Sequence, residues 1–327
     1  MFSYCGLMRH NVKPSRYFYT FGPNEPSYHI KPGDYIVAPT VDAGGHDQAG
    51  NPIPDEMKHR IPGTELRQSN PLTGPFYVEG AEPGDALAIT IQQISLNRPR
   101  AYSRIGPHFG CLTEEVPGRW FLLNSPLETI YYDWKLDLER KTGILELQGS
   151  RLAKVEIPLH PFLGSIGVAP RFGRVEMSLT PGEYGGNMDC VETKAGSTLY
   201  LPVFVRGGYL AFGDVHAAQG DGEICGVALE TTAEVTMKVD VVKGESIDWP
   251  RIEDDDWIMT VGSSRLLMEA YKIAHYEIVK WLESEYGFGK WEALQLLSQV
   301  GRCRIGNVVD PCYTVVAKFP KKYLPDQ

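Results

Sequence analysis

The sequence predicts a mainly β protein, with a β-sandwich or jelly-roll-like core and a small C-terminal α/β part. Two observations favour this fold class. The 327 residues include 34 glycines and 24 prolines, and breakers at this density leave room for short strands but little room for long helices. Between the breakers, apolar residues recur with a period of two, and a helical period begins only near residue 263.

Alternation of apolar and polar residues marks the strands of the first 250 positions. Residues 87–91 and 235–241 alternate apolar side chains with small or polar ones. Each segment is typical of an antiparallel strand with one buried face. Residues 144–147 and 155–157 are weaker strand candidates. The apolar run at residues 199–205 predicts a buried strand.

A helical period replaces the alternation in the last quarter of the chain. Apolar residues recur three and four positions apart, at Leu267, Ala270, Tyr271, Ala274, Ile278, Trp281 and Leu282. This spacing predicts an amphipathic helix that ends at the following glycines. A second helix is predicted over residues 291–300 and a last strand over residues 313–319. We therefore divide the chain into a β-rich region that carries the site, residues 1–250, and a helical hairpin plus terminal strand packed on it, residues 251–327.

Charge and composition narrow the range of partners. The chain has a formal net charge of −9 and no basic run, which argues against nucleic acid or an anionic membrane as the main partner. No apolar segment approaches the length of a transmembrane helix. The six cysteines form no Cys-x-x-Cys pair and no secretory signal opens the sequence. We therefore expect a cytoplasmic protein with free thiols.

Residues 213–223 hold the densest set of groups that could bind a divalent cation. Four such groups lie there: Asp214, His216, Asp221 and Glu223. Side chains alternate along an extended backbone, so Asp-x-His and Asp-x-Glu each place two groups on one side. Glycines let the segment fold back on itself, and we expect a metal-binding loop delivered by the strand at residues 199–205. The alternative is an acidic, solvated turn with an incidental histidine.

The turn at residues 42–48 could add further ligands. Asp42 and His46 flank two glycines, and carboxylate oxygen together with imidazole nitrogen suits zinc or manganese. A divalent metal needs donors from several segments of the chain, so we combine this turn with residues 213–223. An Asx-rich surface bend would have the same sequence.

Residues 79–85 offer carboxyl groups for proton transfer. Glu79 and Glu82 lie there among glycine and proline. A buried glutamate beside a metal could act as a general base if burial or a neighbouring carboxylate raised its pKa. The alternative is a β-turn whose acids cap backbone amides.

Two further segments could contact a small substrate. Asn187 and Asp189 follow two glycines, and their side chains could orient an amide or a carboxylate. His160 opens a glycine-punctuated apolar stretch, residues 160–170. That stretch could line a pocket with backbone amides, although a β-turn and strand would look identical.

Templates for covalent catalysis and for nucleotide cofactors are absent from the sequence. There is no G-x-S-x-G nucleophile elbow and no H-E-x-x-H zinc motif. No Walker loop or G-x-G-x-x-G fingerprint follows a strand, so ATP and nicotinamide cofactors are not expected. Cys190 and Cys225 are poor candidates for a nucleophile because a reactive thiolate needs an electropositive setting, whereas this part of the sequence is acidic.

The segments described above resemble the acetamidase/formamidase family. The matching stretches follow the family order and are residues 70–85, 161–170, 185–189, 196–203 and 213–226. The resemblance implies hydrolysis of the C–N bond of small amides, with release of ammonia and a short carboxylic acid, by a β-sandwich with a small C-terminal α/β part. It also implies a divalent metal, with zinc as the first candidate and calcium or manganese as alternatives.

The resemblance extends to particular residues of the site. These are Asp214, His216, Asp221 and Glu223, together with Glu79, Glu82, Asn187 and Asp189. The turn at residues 42–48 departs from the family pattern, which leaves the roles of His46 and Asp47 open.

We therefore predict a metal-assisted amidase for substrates of the formamide and acetamide type. The expected metal ligands are Asp214, His216 and Asp221, with His46 and Asp42 as further candidates. Glu79 or Glu223 would act as the base, and Asn187 would hold the amide. Three more side chains are expected to contact the substrate, namely Glu82, Asp189 and His160.

Two other functions remain open at this point. The same site could hydrolyse small cyclic amides, the γ-lactams. A non-catalytic β-sandwich could instead hold Ca²⁺ with a carbohydrate or carboxylate, because oxygen donors dominate the loop. In either case a homo-oligomer is expected, since soluble β-rich enzymes commonly self-associate.

Overall fold

The computed structural model describes residues 7–59, 69–107, 109–112 and 128–325. The strands of the first half are β1 (Arg9–Asn11), β2 (Thr20–Phe21), β3 (Tyr28–Ile30), β4 (Tyr35–Pro39), β5 (Leu72–Val78), β6 (Ala86–Leu96), β7 (Arg100–Ile105), β8 (Ile130–Asp137), β9 (Thr142–Glu146), β10 (Lys154–Pro158) and β11 (Phe162–Gly167). The later strands are β12 (Glu176–Met177), β13 (Gly185–Asn187), β14 (Thr198–Pro202), β15 (Leu210–His216), β16 (Glu230–Thr231), β17 (Ala233–Val242), β18 (Arg251–Glu253), β19 (Trp257–Ser264), β20 (Arg302–Ile305) and β21 (Tyr313–Pro320). The helices are α1 (Leu267–Tyr286) and α2 (Lys290–Val300).

Two large sheets organise the described strands. The nine-stranded sheet has the order β1-β4-β17-β6-β14-β18-β19-β21-β20, and its pairs are antiparallel except for β1 with β4. The second sheet follows the path β10-β9-β8-β7-β16-β15-β11-β13, with β5 joined to β15 and β3 joined to β5. A two-stranded ribbon of β12 and β2 completes the described strands.

One hydrophobic core is shared by both large sheets. Leu87 and Ile89 of the first sheet and Ile166 and Phe212 of the second are fully buried in the same cluster. Apolar side chains that meet from two sheets are the basis of a β-sandwich. The predicted fold class, mainly β with a small C-terminal α/β part, is confirmed.

Strands with one buried face were found correctly from the sequence. Residues 87–91 and 235–241 lie in β6 and β17, which pair with each other. The weaker candidates at 144–147 and 155–157 lie in β9 and β10, which also pair. Residues 199–205 begin in β14, but β14 belongs to the nine-stranded sheet. It therefore does not deliver the segment at 213–223, which begins inside β15 of the other sheet.

The C-terminal part contains both predicted helices and the predicted last strand, β21. It also contains β18, β19 and β20, which the sequence analysis did not predict. The six central residues of β19 are all buried, so the strand lacks the alternation that reveals a half-exposed strand. Because β18 pairs with β14, these strands extend the nine-stranded sheet. The division of the chain at residue 250 stays a prediction.

Helix α1 packs directly on the outer face of β19 and β21. Ala274 and Ile278 of the helix and Val315 of β21 are buried together in a second cluster. The helix approaches most closely at Gly262, where a Cβ atom would lie 2.4 Å from the carbonyl oxygen of Ala270. No helix formed by the described residues combines the length and apolarity needed to span a bilayer.

We expect the substitution Gly262→Ala to destabilise the protein, because the added methyl group would collide with the backbone of α1. An overpacked core position of this kind typically lowers the free energy of unfolding by about 1–3 kcal/mol. Thermal denaturation followed by circular dichroism measures the effect. Gly149→Ala is the matched control, since no atom lies within 4 Å of a Cβ at that position. Equal melting temperatures for the two variants would contradict the close approach of α1 to β19.

Candidate active site

The centre of the candidate site is an imidazole between two carboxylates. Asp214 and His216 lie at the end of β15, and Glu230 of β16 is the register partner of His216. His216 Nε2 is 3.4 Å from Asp214 Oδ2 and 3.3 Å from Glu230 Oε1. All three side chains are buried. The predicted proximity of Asp214 and His216 is therefore present in the structure.

The other nitrogen of His216 has its hydrogen-bonding role fixed by Gln219. Gln219 Nε2 is 3.0 Å from the carbonyl oxygen of Asp189 and 2.9 Å from that of Gly306. Carbonyl oxygens only accept hydrogen bonds, so the amide nitrogen of Gln219 must face them. Gln219 Oε1 then accepts from His216 Nδ1 at 2.9 Å. Whenever the imidazole is neutral, its Nε2 lone pair therefore faces the carboxylates.

A second group of acids adjoins this centre and is held by Asn187. Asn187 Nδ2 donates to Asp189 Oδ2 at 2.9 Å and to Asp310 Oδ2 at 2.7 Å. Its Oδ1 accepts from Asn70 Nδ2 at 3.1 Å and from the hydroxyl of Ser165. Both ends of this side-chain amide are therefore engaged by protein groups.

Four residues of the site adopt the left-handed backbone conformation that non-glycine residues seldom take. They are Asn70, Asp189, Asp214 and Glu223, with φ angles of 52°, 48°, 55° and 46°. Such conformations cluster at functional sites, where the surrounding structure enforces them. Gly164 provides the room: a Cβ there would lie 2.6 Å from Asp214 Oδ2 and 2.8 Å from Asp189 Oδ1.

Burial and mutual repulsion perturb the pKa values of these acids. Burial raises the pKa of Asp189 well above its usual range, and the charge of Glu223 adds to the effect. Burial likewise raises the pKa of Glu223 and of Glu230, although the positive charge of His216 opposes it. Burial alone would lower the pKa of His216, but the charges of Glu230 and Asp214 outweigh it and raise that pKa.

Several carboxylate oxygens of the cluster have no hydrogen-bond partner although they are buried. They are Asp189 Oδ1, Asp214 Oδ1 and Glu230 Oε2. A buried, unpaired anionic oxygen is costly unless a cation compensates it. Two sets of donors lie close enough to hold a metal ion, with all their ligand atoms within 4.8 Å of one another: Asp214, His216 and Glu230, and Asp189, His216 and Glu223. The donor chemistry and the unpaired oxygens both fit a divalent cation.

Most of the cluster lines a cavity of about 520 Å³. Other described residues that line it include Tyr102, Arg104, Phe109, Tyr131 and Leu179. Tyr102 is the register partner of Glu230. Burial raises the pKa of the Tyr102 phenol, and the charges of Glu230 and Asp42 raise it further. The phenol therefore stays protonated and can donate a hydrogen bond into the cavity.

The turn at residues 42–48 borders the cavity, but its acid is already paired. Asp42 Oδ2 lies 2.8 Å from a guanidinium nitrogen of Arg98. Asp42 Oδ1 accepts from the backbone nitrogen of His46 at 2.9 Å, and His46 Nδ1 is 3.3 Å away. The side chain of His46 lines the cavity and is 45% exposed. Asp42 thus stabilises the turn by an ion pair and is not among the grouped donors.

Four of the residues predicted for the site lie at the protein surface and are not part of the acid cluster. Asp221 is an exposed partner of Arg304, because the backbone turns between it and Glu223, so that only Glu223 points inward. Glu79 is exposed. Glu82 forms a surface ion pair with Arg206, and the exposed His160 lines a separate surface depression. The expected ligand Asp221, base Glu79 and substrate contacts Glu82 and His160 are corrected accordingly.

Neither cysteine considered as a nucleophile lines the cavity. Cys190 is completely buried, and burial followed by the charge of Glu192 raises the pKa of its thiol. Cys225 is exposed, and burial of part of the side chain with the charge of Glu223 raises its thiol pKa too. Both thiols therefore stay protonated, as the acidic neighbourhood led us to expect.

Three residues of the centre were not predicted from the sequence: Glu230, Asp310 and Gln219. Glu230 carried a signal, since it is a lone acid in the otherwise apolar and small run at residues 226–233. Asp310 lies in a loop before β21 and has no local pattern to distinguish it. Gln219 lies between His216 and Asp221, and its role depends on carbonyl groups that are distant in sequence.

Solved structures and other proteins resemble this chain closely. An acetamidase from Yersinia enterocolitica has a TM-score of 0.81 with 37% identity, covering 96% of this chain and 91% of that chain. An acetamidase from Bacillus halodurans has a TM-score of 0.78 with 29% identity, covering 97% of both chains. A putative formamidase from Schizosaccharomyces pombe is 30% identical over 237 residues, or 58% of this chain. That match spans only 56% of the length of the S. pombe protein.

The model of the Acetamidase/Formamidase family matches nearly the whole sequence, over residues 19–173 and 174–323. The matched ranges contain every residue of the acid cluster, from Asn70 to Asp310. The chain therefore belongs to the acetamidase/formamidase family.

Proposed function

We propose that this protein hydrolyses the C–N bond of small amides of the formamide and acetamide type, releasing ammonia and a carboxylate. One observation carries the proposal. His216 donates from Nδ1 to Gln219 and directs Nε2 at two buried carboxylates, on the wall of a cavity that can admit a small molecule. Family membership and the acetamidase names of the structural relatives support the same activity.

We further propose that Asp214, His216 and Glu230 hold a divalent cation, zinc in the first place, with calcium or manganese as alternatives. One imidazole nitrogen and two carboxylate oxygens are ligands typical of catalytic zinc. A bound cation would lower the pKa of a water molecule towards ~7 and polarise the amide carbonyl. Gln219 orients the imidazole for this task, as hydrogen-bond partners of metal-binding histidines usually do.

The remaining groups of the cavity would move protons and position the amide. Glu223 is buried with a raised pKa, so it would accept the proton of the attacking water and deliver it to the departing ammonia. The protonated phenol of Tyr102 would donate to the carbonyl oxygen of the amide. Asn187 is better assigned as a positioning residue for Asp189 and Asp310, since both ends of its amide are engaged.

Small cyclic amides are a second candidate substrate class. The cavity of about 520 Å³ would admit a γ-lactam ring at the position proposed for acetamide. A calcium-dependent binding module is a weaker alternative, because calcium sites are built from oxygen ligands and His216 would add a nitrogen at the centre.

We propose a cytoplasmic homo-oligomer. All the described cysteines are unpaired thiols, which suits a reducing compartment. Tyr276, Trp291 and Leu294 expose apolar surface on α1 and α2, which association could cover. Light scattering after size-exclusion chromatography should give a multiple of the 36.5 kDa chain mass; a mass of one chain would contradict this assembly.

Release of ammonia from a panel of small amides tests the proposed activity. The zinc-loaded protein should release ammonia from formamide or acetamide. Protein treated with a chelator should lose this activity and regain it with added zinc. The amidase proposal fails if no linear or cyclic amide yields ammonia, whereas full activity of rigorously metal-free protein would overturn only the role of the metal.

The substitution Glu223→Gln should lower kcat for amide hydrolysis by about 10²–10⁴-fold, because the side chain could no longer accept a proton. The matched control is Glu79→Gln, which alters an exposed glutamate outside the cavity and should keep the activity of the unaltered protein. A large loss in Glu79→Gln, or none in Glu223→Gln, would contradict the assignment of the base.

The substitution Gln219→Met should weaken zinc binding by about 10–100-fold, because the imidazole of His216 would lose the acceptor that fixes its tautomer. Competition with a chromophoric chelator measures this affinity directly and needs no activity. Gln92→Met on the exposed side of β6 is the control. An unchanged affinity in Gln219→Met would show that His216 is not a ligand oriented by this side chain.

A further inference from the structure

The cavity is larger than the simplest amides require. It encloses about 520 Å³, whereas the four heavy atoms of acetamide need on the order of 100 Å³, at roughly one water volume (~30 Å³) per atom. Cavities of roughly 300–1,000 Å³ usually enclose larger ligands. Space for a longer acyl part therefore remains beyond the reacting amide.

Arg104 lies on the wall of this cavity. Tyr102 and Arg104 are two residues apart in β7 and both line the cavity, so they share one face of the strand. Tyr102 is in register with Glu230 of the acid cluster, and Arg104 with Tyr131 of β8. Two residues of a strand span about 6–7 Å. Arg104 therefore lies about 6–7 Å along β7 from Tyr102, the residue beside Glu230.

The guanidinium of Arg104 packs against an aromatic ring, and no acid among the described residues forms an ion pair with it. Its Cζ lies 5.8 Å from the centre of the Phe109 ring. Phe109 is itself packed against Gly226, where a Cβ atom would come within 2.6 Å of the ring. Arg104 is half-buried, and none of the ion pairs formed between described residues involves it. Within the described part of the chain, its hydrogen-bond donors therefore remain available to a ligand.

The charge of Arg104 also distinguishes it from the other described residues that line the cavity. Of the described residues that line the cavity, it alone carries a permanent positive charge, because an arginine stays protonated at all physiological pH values. The lining also includes the acids Asp214 and Glu230, and the apolar side chains of Leu179 and Val227. An anion would be repelled by those acids except beside Arg104, while aliphatic carbons could lie against the apolar surface.

We propose that Arg104 binds a carboxylate at the far end of the substrate, and that the preferred substrates are monoamides of short dicarboxylic acids. This inference rests on the proposed amidase function and names the substrate class of the same site. The planar guanidinium can accommodate both oxygens of a carboxylate at once. Hydrolysis consumes one water and converts such a monoamide to ammonia and the dicarboxylate, with no other reactant.

A pair of nearly isosteric substrates tests the proposal in the unaltered, zinc-loaded protein. Succinamate carries a carboxylate where succinamide carries a second amide. Charge-assisted hydrogen bonds predict a kcat/KM for succinamate about 10- to 100-fold above that for succinamide. Malonamate and glutaramate, with one methylene fewer and one more, should show which chain length reaches Arg104.

Variants of Arg104 then connect the preference to this side chain. In Arg104→Met the ratio of kcat/KM for succinamate over succinamide should fall by about 10- to 100-fold. Arg104→Lys should give an intermediate ratio, because it keeps the charge and loses the planar fork. Arg151→Met, which removes an exposed positive charge from a distant turn, should keep the original ratio. Circular dichroism verifies that each variant is folded.

The outcomes separate this inference from the proposed function. Hydrolysis of butyramide and succinamide with no preference for succinamate would overturn the role of Arg104 and leave the amidase intact. An equal loss of kcat/KM for succinamate and for succinamide in Arg104→Met would also overturn this role. Arg104 would then affect only the electrostatic potential of the whole site and would not bind the carboxylate. Absence of ammonia from every amide would overturn the proposed function itself. If Arg104→Met does not fold, the preference of the unaltered protein and of Arg104→Lys decides the question.

Discussion

The structure depends on one constraint, which is the burial of several carboxylates around a single imidazole. Asp189, Asp214, Glu223 and Glu230 are all buried near His216, where water cannot stabilise their charges. Moving ionised groups out of water strongly destabilises the folded state unless cations or hydrogen bonds compensate their charges. The pKa values of Asp189, Glu223 and Glu230 are raised, and several carboxylate oxygens of the cluster have no hydrogen-bond partner. Both observations reflect buried negative charge that is not compensated. A site that concentrates so much negative charge could hold a positive ion.

A rigid scaffold is needed to hold groups that repel one another. Asp214 and Glu230 are fixed by neighbouring strands of one sheet, and that sheet shares its core with the nine-stranded sheet. The left-handed conformations of Asp189, Asp214 and Glu223 are strained, and the packed sandwich around them prevents their relaxation. Gly164 completes the arrangement, because any larger residue would fill the space that the carboxylates occupy. The packed β-sandwich therefore determines the positions and the backbone conformations of the acidic groups.

Local patterns predicted the fold well where one face of an element meets solvent. The alternation in β6 and β17 and the apolar stripe of α1 follow directly from half-burial, and a single sequence displays both. The same reasoning failed for β19, since a strand buried on both faces shows no alternation. It also misjudged residues 199–205, because no local signal tells which of two sheets a strand will join.

For the site, the residue pattern predicted that Asp214 and His216 lie on the same side of the chain, because side chains alternate along an extended backbone, although it predicted a loop where the structure has the end of β15. The sequence also identified the family, because the matching glycine-rich segments and their order can be recognised without knowing how they fold. The folded chain was needed to show that Glu230 and Asp310 join the centre and that Glu79 and Asp221 do not. Their positions depend on strand register and on ion pairs such as that between Asp221 and Arg304, which join residues far apart in sequence. Burial, which turns an ordinary acid into a reactive one, is a property of the assembled sheets and not of the residues alone.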